Sequence, residues 1–482
     1  MSRKILVFIA CFTLCFGIFS CKKDKLLTDT SARLRFSADT LFFDTTFTTI
    51  GSTSRNFLVR NPYNQPLNIS NIHLAGGANS PYRVNVNGSV LVAGGLQNVQ
   101  IAAKDSMYVF VKVTINPLNT NPMVVLDSIL FDVNGHNQHV ILEAIGQDVY
   151  LHKPTSYILL SDGSSVPYSI AKCGDIWKND KPHLIFNYLV VDSGCTLTMQ
   201  PGTRVYLHSG GVLWVYKDGT LIVGGTHGQP VTFAGDRQEL DYAGVPGQWG
   251  NIWLSPLSKN NVIDWAVIKN ASVGLLVDTI NNVASGVPTL RLTNTLIENM
   301  SVAGIYGRGA HIVAENVAIS NCGQFSAALT IGGSYSFRQC SFADYYSVST
   351  RNTPQILLQN YYTDITGTVQ HRNLDSAHFY NCIVDGDQTE ELKADSNMAP
   401  GFHFRFLFDH CLLKTDNTNA VVQHFIANIT GDPAFVSYMD NNLNLQPGSP
   451  AIGLGAPLSP PIPFDLNGHA VNNPPDAGAY QH

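Results

Sequence analysis

The densest cluster of potentially reactive side chains in this sequence lies at residues 236–242. It contains carboxylates at Asp236, Glu239 and Asp241 and a guanidinium at Arg237. Three carboxylates this close can hold a hard cation such as calcium, which prefers oxygen ligands. The alternative is a loop whose charges are solvated or pair with one another. The sequence leaves both interpretations open. We expect no cofactor, and calcium is the only candidate.

Aromatic rings beside amide side chains form a second kind of candidate site. Along residues 248–254, strand alternation turns Asn251 and Trp253 away from the aliphatic side of the strand. A Trp ring that faces outward beside an amide can stack on a sugar, whereas a Trp that packs beneath a loop or against a second domain only fills space. Tyr361 and Tyr362 offer a weaker version of the same ligand-binding arrangement.

A second acidic run contains Asp385, Asp387, Glu390 and Glu391. Because runs of like charge are usually solvated, we interpret it as a solvated turn that leads into a helix-like stretch at residues 388–397. The sequence therefore assigns no metal site, and it offers no catalytic candidates outside the loop at residues 236–242.

The N-terminus has the pattern of an exported, lipid-modified protein. A short basic start precedes an apolar run at residues 5–20, shorter than the roughly 20 residues of a membrane-spanning helix. The run stops at Cys21 and turns polar, which resembles the lipobox of bacterial lipoproteins in the loosened form found in Bacteroidetes. The resemblance implies that residues 1–20 are removed and that acyl chains on Cys21 anchor the protein to a membrane. It implies an outer-membrane lipoprotein of the bacterial cell envelope that faces the periplasm or the cell surface. A plain cleaved signal or an uncleaved anchor is the alternative.

The composition narrows the class of protein further. The chain has 482 residues, of which 13% are charged and 44% hydrophobic, and its net charge is −6. These values exclude a disordered charged chain, a coiled coil and a polytopic membrane protein. No cluster of Lys and Arg indicates a nucleic-acid partner. The length is sufficient for two or three domains.

Residues 33–150 have the pattern of an antiparallel β-sandwich. Short alternating runs, such as residues 55–60 and 108–113, recur between turns rich in Gly, Pro and Asn. The phrases NFLVRNPYNQPLNISNIHLAG and HVILEAIGQ resemble the Ig-like domains related to abnormal-spindle and hydin modules. That resemblance implies an adhesive or spacer domain, which a linker at residues 21–32 joins to the anchor.

Residues 151–430 contain an internal repeat. Five dipeptides align at spacings of 22, 23, 42 and 29 residues: Asn294-Thr295, Asn316-Val317, Gln339-Cys340, Asn381-Cys382 and His410-Cys411. Apolar residues recur three positions before the second member of each pair: Leu292, Ala314, Phe337, Phe379 and Phe408. They recur again two positions after it: Ile297, Ile319, Phe342, Val384 and Leu413. Stacked coils require such a register, because each coil returns the chain to the same place one strand spacing (~4.8 Å) further along.

This register predicts a tube whose interior stacks like residues on like. The Asn side chains should hydrogen-bond at the bends, and Cys340, Cys382 and Cys411 should form a ladder of buried thiols. The gap of 42 residues is either two coils, with Asn360 as the middle member, or one decorated coil.

Two further stretches resemble known families. The phrase VVDSGCTLTMQPGTRVYLHSGGVLWVYKDGTLIVGG resembles right-handed parallel β-helix proteins of the pectin-lyase-like type. Residues 431–482, with DPAFVSYMDNNLNLQPGSPAIGLGA and DAGAY, resemble the C-terminal cap called choice-of-anchor Q. The expected fold is all-β: an N-terminal Ig-like β-sandwich, then a right-handed parallel β-helix at residues 151–430, and a cap that covers its open end.

Three functional hypotheses remain open, and we favour the first. It is non-catalytic binding of an extended polysaccharide along the β-helix face. The second, implied by the polysaccharide lyases of this fold, is cleavage of uronate-containing glycans at residues 236–241, with a basic residue such as Arg237 to abstract the proton. The third is a structural or adhesive role with a partner at the envelope or a host surface. Carboxylates and an Arg that converge in a groove on one outer face would favour the enzyme.

Overall fold

The structure, a computed structural model, describes residues 25–116, 123–160, 162–278, 287–415 and 424–482. Cys21, the predicted lipidation site, lies outside these ranges. The chain divides after Asp148 into two compact units. Within the described ranges, no helix has the length and apolar character needed to cross a membrane. The described helices include 3-10 turns at Gly77–Asn79, Leu240–Tyr242 and Tyr438–Asp440.

The first unit is a β-sandwich of two five-stranded sheets. Strict alternation of buried and exposed residues along Ser106–Val113 is typical of a strand with one face in the core. The first sheet consists, in spatial order, of β1 (Arg35–Phe36), β3 (Arg55–Arg60), β8 (Ser106–Val113), β5 (Tyr82–Val86) and β6 (Ser89–Val90). The second consists of β2 (Thr40–Phe47), β10 (His136–Gln147), β9 (Met123–Val133), β4 (Leu67–Leu74) and β7 (Leu96–Ile101).

One strand pair in the sandwich departs from the antiparallel expectation. Strands β2 and β10 run parallel, whereas β10 and β9 form an antiparallel hairpin. Alternation along a strand is the same in both directions, so the sequence pattern could not distinguish the two arrangements.

The second unit is a parallel β-helix whose successive coils contribute strands to three faces. Face one contains β14 (Ile176–Trp177), β17 (Thr196–Met199), β20 (Thr220–Gly224), β23 (Asn261–Asp264), β30 (Gly333–Arg338), β35 (Leu374–Tyr380), β38 (Leu407–Asp409) and β40 (Phe425–Ile426). Face two contains β11 (Tyr150–His152), β15 (His183–Ile185), β18 (Arg204–Leu207), β21 (Val231–Gly235), β24 (Ala266–Lys269), β31 (Ser341–Asp344), β36 (Ile383–Gly386) and β39 (Leu412–Leu413). Two long strands run across both of these faces: β26 (Leu290–Met300) and β28 (His311–Cys322). The expected all-β fold, a sandwich followed by a parallel β-helix, is confirmed.

Face three is a separate ten-stranded sheet. It contains β12 (Ser156–Leu159), β13 (Ser165–Ile170), β16 (Tyr188–Val191), β19 (Val212–Val215), β22 (Asn251–Leu254), β25 (Val273–Asp278), β27 (Ala303–Arg308), β29 (Phe325–Thr330), β32 (Ile356–Gln359) and β37 (Leu392–Asp395). Strand β37 falls in the stretch that we expected to be helix-like. That expectation is wrong because pairing with β32 overrides a weak local helix propensity.

The predicted repeat is confirmed pair by pair. Phe337 pairs with Phe379, and Phe379 with Phe408, along face one. The ring centroids of these two pairs lie 4.9 and 4.4 Å apart. On face two, Ile319 pairs with Phe342 in the same manner. All of these side chains are fully buried, and each contributes about 1.5–3 kcal/mol to folding through removal from water.

The polar members of the repeat form the corner between faces one and two. All five have φ between 49° and 57°: Asn294, Asn316, Gln339, Asn381 and His410. Asn is among the few residues that adopt this left-handed conformation readily. Asn316 Nδ2 donates a hydrogen bond to Asn294 Oδ1 at 2.8 Å, as expected for stacked amides.

The gap of 42 residues is a single decorated coil. Strand β30 pairs directly with β35, so the chain between them makes one turn of the tube. The insertion carries a hairpin of β33 (Tyr361–Thr363) and β34 (Val369–His371). Asn360 lies next to β32 and outside the corner ladder, so the interpretation with two coils is wrong.

Residues 431–482, here called the C-terminal segment, pack along face two. The segment includes the hairpin of β41 (Phe435–Ser437) and β42 (Asn442–Leu445). Its apolar residues cover outward side chains of face two: Ala318, Ala343, Ile383 and Leu412. Asn381 Nδ2 donates to the Ala456 carbonyl oxygen at 2.8 Å. These contacts run along the side of the coils, because face two presents outward apolar side chains that must be shielded from water. We expected the segment to cover the open end of the tube instead.

The cysteines of the β-helix are either bridged or buried. Cys173 and Cys195 form a disulfide. Four other cysteines are buried free thiols: Cys322, Cys340, Cys382 and Cys411. Burial raises the pKa of the Cys322 and Cys382 thiols well above the usual value, so the reactive thiolate is disfavoured. The expected ladder of interior thiols is confirmed.

Candidate functional site

The loop at residues 236–242 joins faces two and three, and it places charges in separate pairs. His208 Nδ1 lies 2.6 Å from Asp236 Oδ2. Arg237 Nε donates to Glu239 Oε2 at 3.0 Å, and Asp241 lies exposed in a 3-10 turn. In the described ranges, no three or more His, Cys, Asp or Glu side chains are grouped as a metal ion would require. The arrangement is that of a loop with paired charges.

Trp253 belongs to a stack of aromatic rings on face three. Asn251 and Trp253 point outward while their strand neighbours are buried, as the alternation predicts. The Trp253 ring stacks on Trp214 with centroids 4.8 Å apart and planes 11° apart. Its Nε1 donates to Asp278 Oδ2 at 2.8 Å. Trp214 therefore covers one face of the indole ring.

Tyr361 and Tyr362 lie in the hairpin inserted between faces three and one. The Tyr361 hydroxyl donates to Asp395 Oδ2 at 3.1 Å. The guanidinium of Arg372 lies 5.5 Å from the Tyr362 ring centroid. Three strands of face three separate the strand of Trp253 from β32, which precedes this hairpin. The structure therefore does not bring the predicted aromatic residues together.

A groove of about 510 Å³ lies on the outer surface of face one, beside the C-terminal segment. We call it the flank groove. Its floor is a row of outward side chains from four consecutive coils: Glu315, Arg338, Tyr380 and Asp409. His378 and His410 lie next to this row, and residues 456–459 form one wall. The stacking that aligns the interior phenylalanines also aligns these polar residues, because they occupy neighbouring positions on the same strands.

The charged side chains of the flank groove are paired. Arg338 Nη1 donates to Glu315 Oε1 at 2.6 Å, and Nη2 donates to the Pro460 carbonyl oxygen. His410 Nδ1 lies 2.6 Å from Asp409 Oδ1. The floor therefore offers carboxylate oxygens without a large excess of either charge.

Burial sets the protonation states of two further groove residues. It lowers the pKa of His378, so the imidazole is uncharged at neutral pH. Burial also raises the pKa of Tyr380, and the charge of Asp409 adds to this effect, so the phenol keeps its proton. Tyr380 Oη lies 3.4 Å from His378 Nδ1. Neutral hydroxyl and imidazole groups of this kind both donate and accept hydrogen bonds.

Two carboxylates and an arginine thus converge on one outer face, an arrangement that we expected to favour an enzyme. However, Arg338 is only 8% exposed, and both of its amino groups bond to protein oxygens. Proton abstraction by Tyr380 requires a phenolate, and the pKa of Tyr380 is shifted away from that form. The flank groove is therefore better suited to binding than to proton abstraction.

The flank groove was not predicted from the sequence, although the repeat alignment contained its signal. Each floor residue comes directly before the first member of an aligned pair, as Glu315 precedes Asn316 and Tyr380 precedes Asn381. Extending the alignment by one position would have shown an outward row of polar and aromatic residues.

A buried ion cluster replaces the solvated turn expected at the second acidic run. The Arg351 side chain is 0% exposed, and its Nη1 donates to Glu391 Oε2 at 2.8 Å. Arg351 also pairs with Asp387, and its Nε lies 3.8 Å from Asp344 Oδ2. Burial raises the pKa of Asp344 to about 7. The solvated interpretation is wrong because Arg351, which lies in the insertion outside the repeat, supplies the opposite charge.

Comparison with known proteins gives distant similarities to solved structures. No protein-family model matches the chain, and no curated protein matches it. An ASH/PapD-like domain of human CEP192 is 11% identical, with a TM-score of 0.18. The match covers 25% of this chain and 89% of that chain. A family 123 glycoside hydrolase from Clostridium perfringens is 10% identical, with a TM-score of 0.17, and the match covers 23% of this chain and 25% of that chain. A chain of the Salmonella enterica SafA pilin in complex with the SafB chaperone is 12% identical, with a TM-score of 0.16, and the match covers 24% of this chain and 54% of that chain. None of these similarities bears on function.

Proposed function

We propose that this protein binds an extended polysaccharide in the flank groove and that the groove itself does not cleave its ligand. The observation that carries the proposal is the row of Glu315, Arg338, Tyr380 and Asp409 from four consecutive coils. A row that runs along the axis of a solenoid suits a linear polymer, since its contacts repeat at the strand spacing. The volume lies within the range of known ligand clefts, about 300–1,000 Å³.

The chemistry of the groove favours a neutral polysaccharide. Carboxylate oxygens of Glu315 and Asp409 accept hydrogen bonds from sugar hydroxyls, and the neutral Tyr380 and His378 both donate and accept them. The one guanidinium of the floor is already paired, so it offers little attraction to a uronate. The negative charge of Asp409 would in addition repel an acidic polymer.

Replacing Tyr380 with Phe, or His378 with Ala, should weaken polysaccharide binding by about tenfold in each case, because each removes hydrogen bonds worth about 1–1.5 kcal/mol. Titration calorimetry with the detergent-solubilised full-length protein and a panel of neutral and acidic polysaccharides measures the effect. Tyr216→Phe on face three is the matched control and should leave binding unchanged. Failure to bind any polymer of the panel would refute the proposal, as would loss of binding in Tyr216→Phe with full binding in Tyr380→Phe.

We further propose that acyl chains on Cys21 hold the protein in the bacterial outer membrane. Cys21→Ala should abolish incorporation of labelled fatty acid and release the protein from the membrane fraction. Cys15→Ala, within the apolar run, is the matched control and should be lipidated normally. A Cys21→Ala protein that stays in the membrane fraction would contradict the lipid anchor.

A further inference from the structure

The two sheets of the β-sandwich carry opposite charges. The strands of the first sheet contain no carboxylate and five basic residues: Arg35, Arg55, Arg60, Arg83 and Lys112. The strands of the second sheet contain neither Lys nor Arg and four carboxylates: Asp44, Asp127, Asp132 and Glu143. Charge is therefore sorted between the two sheets of one domain, although the whole chain has a net charge of −6.

Four of the basic residues form two pairs on the outer surface of the first sheet. Arg35 lies opposite Arg60 on neighbouring strands, and Arg83 lies opposite Lys112. All four are exposed, whereas the residues on both sides of each are buried or packed against the core. Within the described ranges, none of the four forms an ion pair with a carboxylate. Two pairs of positive charges therefore face outward on this surface, which we call the cationic face.

Two exposed aromatic rings lie on the same face. Tyr108 and Phe110 are successive outward residues of β8 and are 51% and 41% exposed. Their ring planes are 27° apart, and their centroids are 5.9 Å apart. Asn56 and Asn85 lie opposite Phe110 on the two neighbouring strands. An exposed apolar surface rimmed by polar side chains is typical of a binding site.

Strand β8 sets the order of these groups along the cationic face. Ser106 lies opposite Arg60, and Lys112, at the other end of the strand, lies opposite Arg83. At about 3.4 Å per residue, the two cationic pairs are about 20 Å apart, with the aromatic rings between them. A linear polymer that lies along β8 can therefore contact both cationic pairs and both rings at once.

We propose that the cationic face binds an acidic polysaccharide. Guanidinium and ammonium groups bind carboxylates through charge-assisted hydrogen bonds, and aromatic rings pack against the apolar faces of sugars. An amide such as that of Asn56 donates hydrogen bonds to sugar hydroxyls and accepts them. Charge complementarity decides the class of polymer, because the face has four cations and its strands have no carboxylate. The inference goes beyond the proposed function, since it concerns the other domain and acidic polymers.

The test is the affinity of the full-length, detergent-solubilised protein for polygalacturonate, a linear uronate polymer, measured by titration calorimetry. Combining Arg60→Gln with Lys112→Gln removes one charge from each pair and should weaken binding about tenfold at low salt. The loss should shrink at about 1 M salt, where charges are screened beyond about 3 Å. Lys178→Gln with Lys217→Gln, both exposed on the β-helix, removes the same charge and should leave the affinity unchanged.

Phe110→Ala tests the aromatic part of the cationic face. It should weaken polygalacturonate binding about tenfold at low and at high salt, because ring packing is not screened by ions. Phe42→Ala is the matched control, since Phe42 is 39% exposed on the second sheet, where it lies opposite Glu143. Its loss should leave the affinity unchanged. Circular dichroism checks that all variants are folded.

The flank groove and the cationic face are tested separately. Tyr380→Phe should leave polygalacturonate binding unchanged, and Phe110→Ala should leave the binding of neutral polymers unchanged. A protein that binds polygalacturonate through the cationic face but binds no neutral polymer would support the inference and remove the function proposed for the flank groove.

Three results would overturn the inference. Full affinity for polygalacturonate without the charges of Arg60 and Lys112 would place the polymer elsewhere. Loss of that affinity in Tyr380→Phe would assign the acidic polymer to the flank groove. Equally tight binding of phosphatidylglycerol vesicles or of single-stranded DNA would show that the face recognises negative charge and not a polysaccharide.

Discussion

Replacing Arg351 with Met should lower the free energy of unfolding by about 3–5 kcal/mol. Arg351 is fully buried and pairs with Glu391, whose side chain is equally buried. Removing the guanidinium leaves the carboxylates of Glu391 and Asp344 in the interior without an opposite charge, and an unpaired buried charge is costly. Chemical denaturation of the full chain, followed by circular dichroism, measures the change.

The loss in Arg351→Met should also increase with pH. Burial already raises the pKa of Asp344 to about 7, so the folded protein binds this proton more tightly than the unfolded chain does. The stability that protonation provides is present below the unfolded pKa of about 4 and is lost as the pH rises through about 7. Without Arg351 the ionised forms of the buried carboxylates cost more free energy, so the free energy of unfolding of the variant should be lower at about pH 8 than at about pH 5.

Arg237→Met is the matched control for this prediction. Arg237 is 34% exposed on the surface loop and pairs with Glu239, and such pairs contribute about 0–1 kcal/mol. Equal losses in the two variants would show that Arg351 does not act as a buried counter-charge. A loss in Arg351→Met that is independent of pH would contradict the electrostatic explanation.

Phe379→Ala should cost about 3–5 kcal/mol because it empties the middle of a stack in the interior of the tube. The ring lies between Phe337 and Phe408, in parallel stacks with both. Because each coil contacts mainly its neighbours, the damage should be local. Amide hydrogen exchange should therefore increase most in the strands of face one that flank Phe379.

Phe402→Ala is the control for the stacked interior. Phe402 is 37% exposed, so its removal should change stability by no more than about 1 kcal/mol. If Phe379→Ala is no more costly than Phe402→Ala, the stacked rings do not support the tube.

The repeat predicted the interior because burial imposes one requirement on every coil. Residues such as Phe337 and Phe379 must be apolar at the same register, and Asn316 and Asn381 must tolerate the same left-handed corner. Spacing alone therefore gave the pairing of the coils that follow at 22, 23 and 29 residues, whereas the 42-residue gap stayed open between one coil and two. The hairpin inserted in that coil adds no repeat position to the interior of the tube. The period therefore could not show how many coils the 42 residues make.

Contacts outside the stacked interior were less predictable, because they join residues far apart in sequence. Arg351 meets Glu391 across 40 residues, and Arg338 meets Pro460 across 122 residues. The partner of the acidic run, Arg351, lies outside the repeat, so the spacing of the carboxylates alone gave no sign of a buried cluster. Trp253 was correctly predicted to point outward, but its stacking on Trp214 depends on which strands are neighbours.

The most direct test of the proposed flank groove is a crystal structure of the protein with an oligosaccharide fragment of a polymer that it binds. We expect sugar rings along the outer surface of face one, with hydroxyl groups within hydrogen-bond distance of Tyr380 and Asp409. An oligosaccharide bound only elsewhere, for example against Trp253 on face three, with no sugar in the flank groove, would contradict the account.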